Sequence, residues 1–180
     1  MNRFPLIICL LAATFSGCTD TTPGTSALAP KSKTSAVSTV SEESHTVIKR
    51  YNLLLSDGYK TTNMTKLLEV ATLELAEKAY YHMAAIGEGK SRMVSELKKL
   101  DFVETDCAAK TKCRIVTKEL WDFAYADIVT GARSNEVKDY IYDVQYIVEN
   151  RQGRWMITEI TATGEERKDL PSWGNMFKKQ

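Results

Sequence analysis

The run Ala84-Ala85-Ile86-Gly87-Glu88-Gly89-Lys90-Ser91 has the form of a relaxed phosphate-binding loop. In such a loop backbone N–H groups cradle phosphates, the lysine reaches β/γ oxygens and the serine ligates Mg²⁺. That chemistry needs a strand before the glycines and a helix after them. Here a long helical pattern precedes them, so a helix–helix turn is the expectation. Cys107 and Cys113 enclose the five residues 108–112 and could form a disulfide or remain free thiols. A metal site needs more ligands, and His45 and His82, the two histidines of the chain, lie far from them in sequence. Neither a metal nor a cofactor is therefore expected. Asp122, Asp127, Asp143 and Glu149 are candidate acids for proton transfer. Asp127 shares a strand parity with Trp121, Phe123 and Tyr125. Asp143 and Glu149 lie opposite the Tyr140/Val144/Val148 row, as a solvated face would. None is assigned a catalytic role. His82 reads as a partly exposed helix residue.

Residues 1–17 carry one positive charge, Arg3, then a short apolar run ending in small residues. This is the pattern of a signal peptide. Phe15-Ser16-Gly17-Cys18 resembles the lipobox of bacterial lipoproteins. The resemblance implies a thioether between Cys18 and diacylglycerol, cleavage before Cys18, and palmitate-type chains that hold the protein on a membrane. Ordinary secretion with cleavage after Ser16 is the alternative. Each buried CH₂ contributes about 0.8 kcal/mol, and two or more chains anchor stably. In the resembled family an Asp directly after the cysteine retains the protein at the inner membrane. Thr19 stands there, with Asp20 next, which points to the outer membrane of a bacterial envelope, facing the periplasm. In that compartment Cys107 and Cys113 read as a disulfide.

Residues 19–40 are rich in Thr, Ser, Pro and Ala and read as a flexible tether with a reach of about 25 Å. One folded domain is expected over residues 41–163, and a polar tail over residues 164–180. In the tail Trp173, Met176 and Phe177 follow helical spacing. With 24 Lys+Arg against 23 Asp+Glu the net charge is +1, which argues against a dedicated nucleic-acid binder. With 43% hydrophobic residues the chain can build a core.

The elements that must position these residues come in two blocks. Ser41-Glu42-Glu43 reads as a helix start, with Val47, Ile48, Tyr51, Leu54 and Leu55 as its stripe and Asp57-Gly58 as its stop. A second helix is predicted from about Thr62 to Ile86, ended by Gly87-Glu88-Gly89. A third, shorter helix carries Met93, Leu97 and Leu100. Residues 100–107 and 113–117 are short strands. Trp121, Phe123, Tyr125 and Val129 alternate before Gly131. Tyr140, Tyr142, Val144, Tyr146 and Val148 alternate strictly, a strong strand signal. Asn150-Arg151-Gln152-Gly153 is a turn, and Trp155, Ile157, Ile160 and Ala162 make a last strand. The class is α+β: three helices on one face of a curved antiparallel sheet.

This order, with residues 140–149 followed by Gly153-Arg154-Trp155-Met156-Ile157, resembles the nuclear transport factor 2-like (SnoaL-like) cone fold. Within it, Val116-Thr117-Lys118-Glu119-Leu120-Trp121 is similar to a motif in the intermembrane-space domain of chloroplast division proteins. The resemblance spans about residues 44–163. It implies fold and not function, since this fold hosts enzymes, binders and assembly modules. The first expectation is a non-enzymatic interaction module. It would pair through its sheet with a second copy or another envelope protein, with Trp121, Tyr125, Tyr142 and Tyr146 as anchors. The alternatives are a binder or enzyme for a small apolar molecule, using the hollow between helices and sheet, and an accessory part of a secretion or conjugation apparatus.

Overall fold

The structure, a computed structural model, is described over residues 33–165, and its side chains over residues 39–164. Cys18 and the Trp173/Met176/Phe177 stripe lie outside the described residues. Helix α1 spans Lys33–Thr61, a 3₁₀ turn Thr65–Glu69 and helix α2 Leu73–Glu88. Strands β1 (Ser91–Ala109), β2 (Lys112–Asp127), β3 (Arg133–Arg151) and β4 (Arg154–Glu165) follow. They form one antiparallel sheet in the order β1-β2-β3-β4, joined as consecutive hairpins. Two helices pack on this open sheet, so the α+β class stands, while the number of helices does not.

The predicted third helix is the first half of β1. Met93 and Leu97 face the core, where a register shift lies between Leu97 and Lys99. A second shift lies between Phe102 and Glu104. Each bulge adds a residue and reverses side-chain parity. Inward positions run Met93, Ser95, Leu97, Leu100 and Phe102, and the apolar ones at 93, 97 and 100 imitate a helical spacing inside an extended strand.

The other helix boundaries also move. α1 begins at Lys33, so positions 33–40 of the expected tether are helical. It also runs past Asp57-Gly58, because Tyr59 extends the buried stripe of Ser44, Ile48 and Tyr51. Gly58 serves close approach and not termination: a Cβ there would lie 2.4 Å from Met64 Sδ and 3.1 Å from the Asn63 carbonyl oxygen. The helix ends instead at Thr62, in the left-handed region at φ 55°. The Asn63 N–H donates to the Gly58 carbonyl at 2.9 Å, closing the last turn. This end splits the predicted second helix. The chain makes the 3₁₀ turn, and Ala71 then forms a parallel bridge with Ile157. There Thr72 N donates to Ile157 O at 3.0 Å and Ile157 N to Val70 O at 2.8 Å, which covers part of the β4 edge.

The last hairpin follows its sequence. Gln152 and Gly153 both take positive φ, 55° and 84°, as a two-residue turn of the primed type requires. Gly153 N donates to Asn150 Oδ1 at 2.9 Å. The core between α1, α2 and the sheet contains Ile48, Leu67, Ile115, Val148 and Ile157, all fully buried. Among the described residues no helix is long and apolar enough to cross a membrane.

Candidate functional site

A hollow of about 220 Å³ lies between α1 and the sheet. Its floor is set by β2, where Thr117, Glu119 and Trp121 alternate and so share one face. Glu119 is only 3% exposed. A buried carboxylate is costly unless hydrogen bonds replace its water. Four donors do so here. Thr117 Oγ1 (2.9 Å), the Tyr146 hydroxyl (2.7 Å) and Asn52 Nδ2 (3.2 Å) donate to Oε1. Trp121 Nε1 donates to Oε2 at 2.9 Å. Tyr146 reaches from β3 and Asn52 from α1, so this one side chain ties the helix to two strands. Burial, and then the Glu119 charge, push the Tyr146 hydroxyl well above the ordinary phenol range. The same two causes raise Tyr51, whose ring meets Tyr146 edge-on. Both phenols stay protonated at neutral pH.

A second polar contact lies at the other end of α1. The Tyr59 hydroxyl and His82 Nδ1 are 2.5 Å apart. Burial lowers the His82 imidazole below its ordinary value and raises the Tyr59 hydroxyl. His82 is thus packed against α1, and not simply displayed on α2 as its neighbours in sequence suggest. His45 stacks on Phe102 with ring centroids 3.7 Å apart and bonds Thr105 Oγ1 at 2.8 Å.

The acids singled out in the sequence are engaged in structural contacts. Asp127 Oδ1 accepts from Val129 N (2.9 Å), Thr130 N (2.7 Å) and Thr130 Oγ1 (2.9 Å). These bonds hold its carboxyl below the usual range and close the turn after β2. Asp122 accepts from Asp139 N at 2.8 Å and lies 3.7 Å from Lys98 Nζ. Glu149 pairs with Lys112 at 3.0 Å and Asp143 with Lys118 at 4.0 Å, both across neighbouring strands on the outer sheet face. Among the described residues no group of three or more His, Cys, Asp or Glu is placed to hold a metal.

Lys90 and Ser91 follow a helix and open a strand, the reverse of the order that a phosphate-binding loop needs. Lys90 sits at φ 54° and Ser91 Oγ donates to the Gly89 carbonyl at 3.3 Å. The segment is a helix-to-strand turn and not the helix–helix turn expected. The Sγ atoms of Cys107 and Cys113 are 2.07 Å apart, at disulfide distance, across the β1–β2 hairpin. Ser44 of α1 donates to the Val40 carbonyl at 2.8 Å and places its Oγ 3.3 Å from Cys113 Sγ.

The expected sheet anchors are not on a free face. Trp121 (5% exposed) and Tyr146 (2%) are buried, and Tyr125 and Tyr142 are half-buried. α1 covers the side of the sheet that carries Trp121, Tyr142 and Tyr146, while the opposite side presents the cross-strand ion pairs. Exposed apolar area lies elsewhere: Leu68, Leu73, Tyr80 and Tyr81, on the 3₁₀ turn and α2, are 40–66% exposed. The hub at Glu119 was visible in sequence only as the T-x-E-x-W alternation, whose inward direction depends on α1.

Fold and site together define an α+β domain: an open four-stranded antiparallel sheet, two helices packed on it, and a carboxylate hub at their junction. One solved structure similar to it is the intermembrane-space region of the chloroplast protein ARC6. The two share 15% sequence identity and superpose with a TM-score of 0.58, over 68% of this chain and 95% of that one. At that identity the likeness concerns the fold alone. No family model matches the sequence, and no curated protein matches it.

Proposed function

We propose that the protein is a lipid-anchored envelope protein, held through Cys18 and facing the periplasm from the outer membrane, whose domain acts by binding and not by turnover. On this reading the sheet and its helices form a nuclear transport factor 2-like cone, and Cys107 and Cys113 are oxidised in an exported protein. The partner is a second copy of the chain or another envelope protein. The observation that carries the reading is the apolar surface of Leu68, Leu73, Tyr80 and Tyr81. Contiguous exposed apolar residues of this kind serve protein contacts, and aromatic ones supply the anchors. The contact surface therefore moves from the sheet to α2. Glu119 supports a binding role as well, since both its oxygens already accept hydrogen bonds.

The test uses the full chain in membranes, with a photo-crosslinking residue at Tyr81. A crosslinked species is expected, lost in Tyr80→Glu and in Leu73→Glu. In Cys18→Ser, lipid labelling is expected to vanish. A chain that stays uncrosslinked and monomeric overturns the contact surface. Membrane retention unchanged in Cys18→Ser overturns the anchor.

A further inference from the structure

The hollow above Glu119 has a charge pattern that the contact surface on α2 does not use. Six aromatic side chains line it: Tyr51, Tyr59, Trp121, Phe123, Tyr142 and Tyr146. Among the described residues one acid, Glu119, lines it too, and no lysine or arginine does. The four groups that donate to Glu119 are all neutral, so its charge is hydrogen-bonded but not cancelled. In a low-dielectric site such a charge projects a strong negative potential. Aromatic faces add to it, because their quadrupoles are negative over the ring.

Geometry sharpens the pattern. Trp121 and Phe123 stack at 5.8 Å between centroids, and Tyr142 stands edge-on to Phe123 at 6.1 Å. These rings lead from the buried floor to the half-buried Phe123 and Tyr142 at the mouth. Tyr51 stays protonated and lines the hollow beside Glu119, so the charge at the site is that of the carboxylate. At about 220 Å³ the hollow falls below the range of about 300–1,000 Å³ usual for drug-sized ligands. It suits a compact guest. We infer that the hollow is a binding site for a small organic ammonium ion, held by the aromatic faces and by the charge of Glu119. An anion is repelled there by the same groups.

Isothermal titration of the full chain in detergent tests this with choline and its neutral isostere 3,3-dimethylbutan-1-ol. Choline is expected to bind about tenfold tighter than the isostere, the difference a desolvated cation–π contact supports. Glu119→Gln should narrow the gap between the two affinities without closing it, since the aromatic faces remain. Tyr142→Leu, at the half-buried mouth, should weaken choline several-fold and leave the fold intact by circular dichroism. It carries the test if Glu119→Gln fails to fold. Equal affinities for the two probes, no binding of either at millimolar concentration, or choline binding unchanged in Tyr142→Leu each overturn the site. None of these outcomes bears on the α2 contact surface, which crosslinking reads separately.

Discussion

The Tyr146 hydroxyl donates to Glu119 Oε1 at 2.7 Å inside the protein, with Tyr146 2% and Glu119 3% exposed. A hydrogen bond to a buried charged group is worth about 1.5–3 kcal/mol. Tyr146→Phe removes the donor and keeps the ring. Its expected cost is therefore about 1.5–3 kcal/mol, read as a shift in the urea midpoint with unchanged slope. A loss below about 0.5 kcal/mol would show that the carboxylate does not depend on this donor.

Cys107 and Cys113 should be joined in the mature protein. Non-reducing mass analysis is expected to show the bonded pair, and two freely alkylated thiols in natively isolated protein would contradict it. Closing a loop of about seven residues contributes about 2–2.5 kcal/mol in the chain-entropy model. Reduction should lower stability by that order.

Gly58 should resist substitution although it lies within a helix. Alanine gains about 1 kcal/mol of helix propensity over glycine. Its Cβ, however, would meet the buried Met64 Sδ at 2.4 Å and the Asn63 carbonyl oxygen at 3.1 Å. Overpacking of this kind costs about 1–3 kcal/mol, so Gly58→Ala should be net destabilising. With Met64→Ala already present, most of the clash is gone and Gly58→Ala should become neutral or stabilising. Additive effects in the double variant would refute the coupling.

Stability should fall with mild acid. Burial holds His82 below the ordinary imidazole value. The unfolded chain therefore takes up that proton first, near pH 6.5, and the folded chain only at lower pH. Stability is full above about 6.5 and is lost progressively down to the depressed folded value. His45, lowered by burial and then by Lys49, acts in the same direction. In His82→Gln, which keeps an acceptor for Tyr59, the drop in denaturation midpoint between neutral pH and pH 5 should be smaller. An identical pH profile would exclude His82 as a source of the effect.

The strands that were clearest in the sequence are those whose side chains alternate without interruption on the inward face. Tyr140 to Val148 alternates, and β3 buries Tyr140, Val144, Tyr146 and Val148. The Asn150-Arg151-Gln152-Gly153 turn is local chemistry, and it forms where its residues indicate. β1 was hidden because the bulge between Leu97 and Lys99 shifts the inward parity, and a shifted period of two resembles a period near 3.6. The stop at Asp57-Gly58 failed for a tertiary reason. A glycine needed for contact with Met64 looks the same in sequence as one that ends a helix.

By itself the sequence determined the α+β class and the closing hairpin, which rest on local periodicity and turn residues, while it left Cys107 and Cys113 open between a disulfide and free thiols. Only the tertiary structure decided that Glu119 is buried, because its partners Asn52 and Tyr146 lie 67 and 27 residues away in the chain. It also decided which aromatic residues are covered. Trp121 and Tyr146 are buried, Tyr146 against α1, whereas Tyr80 and Tyr81 are exposed, and hydrophobicity alone cannot tell these apart. Burial is a property of what packs above a residue, and that packing is settled by contacts between elements distant in sequence.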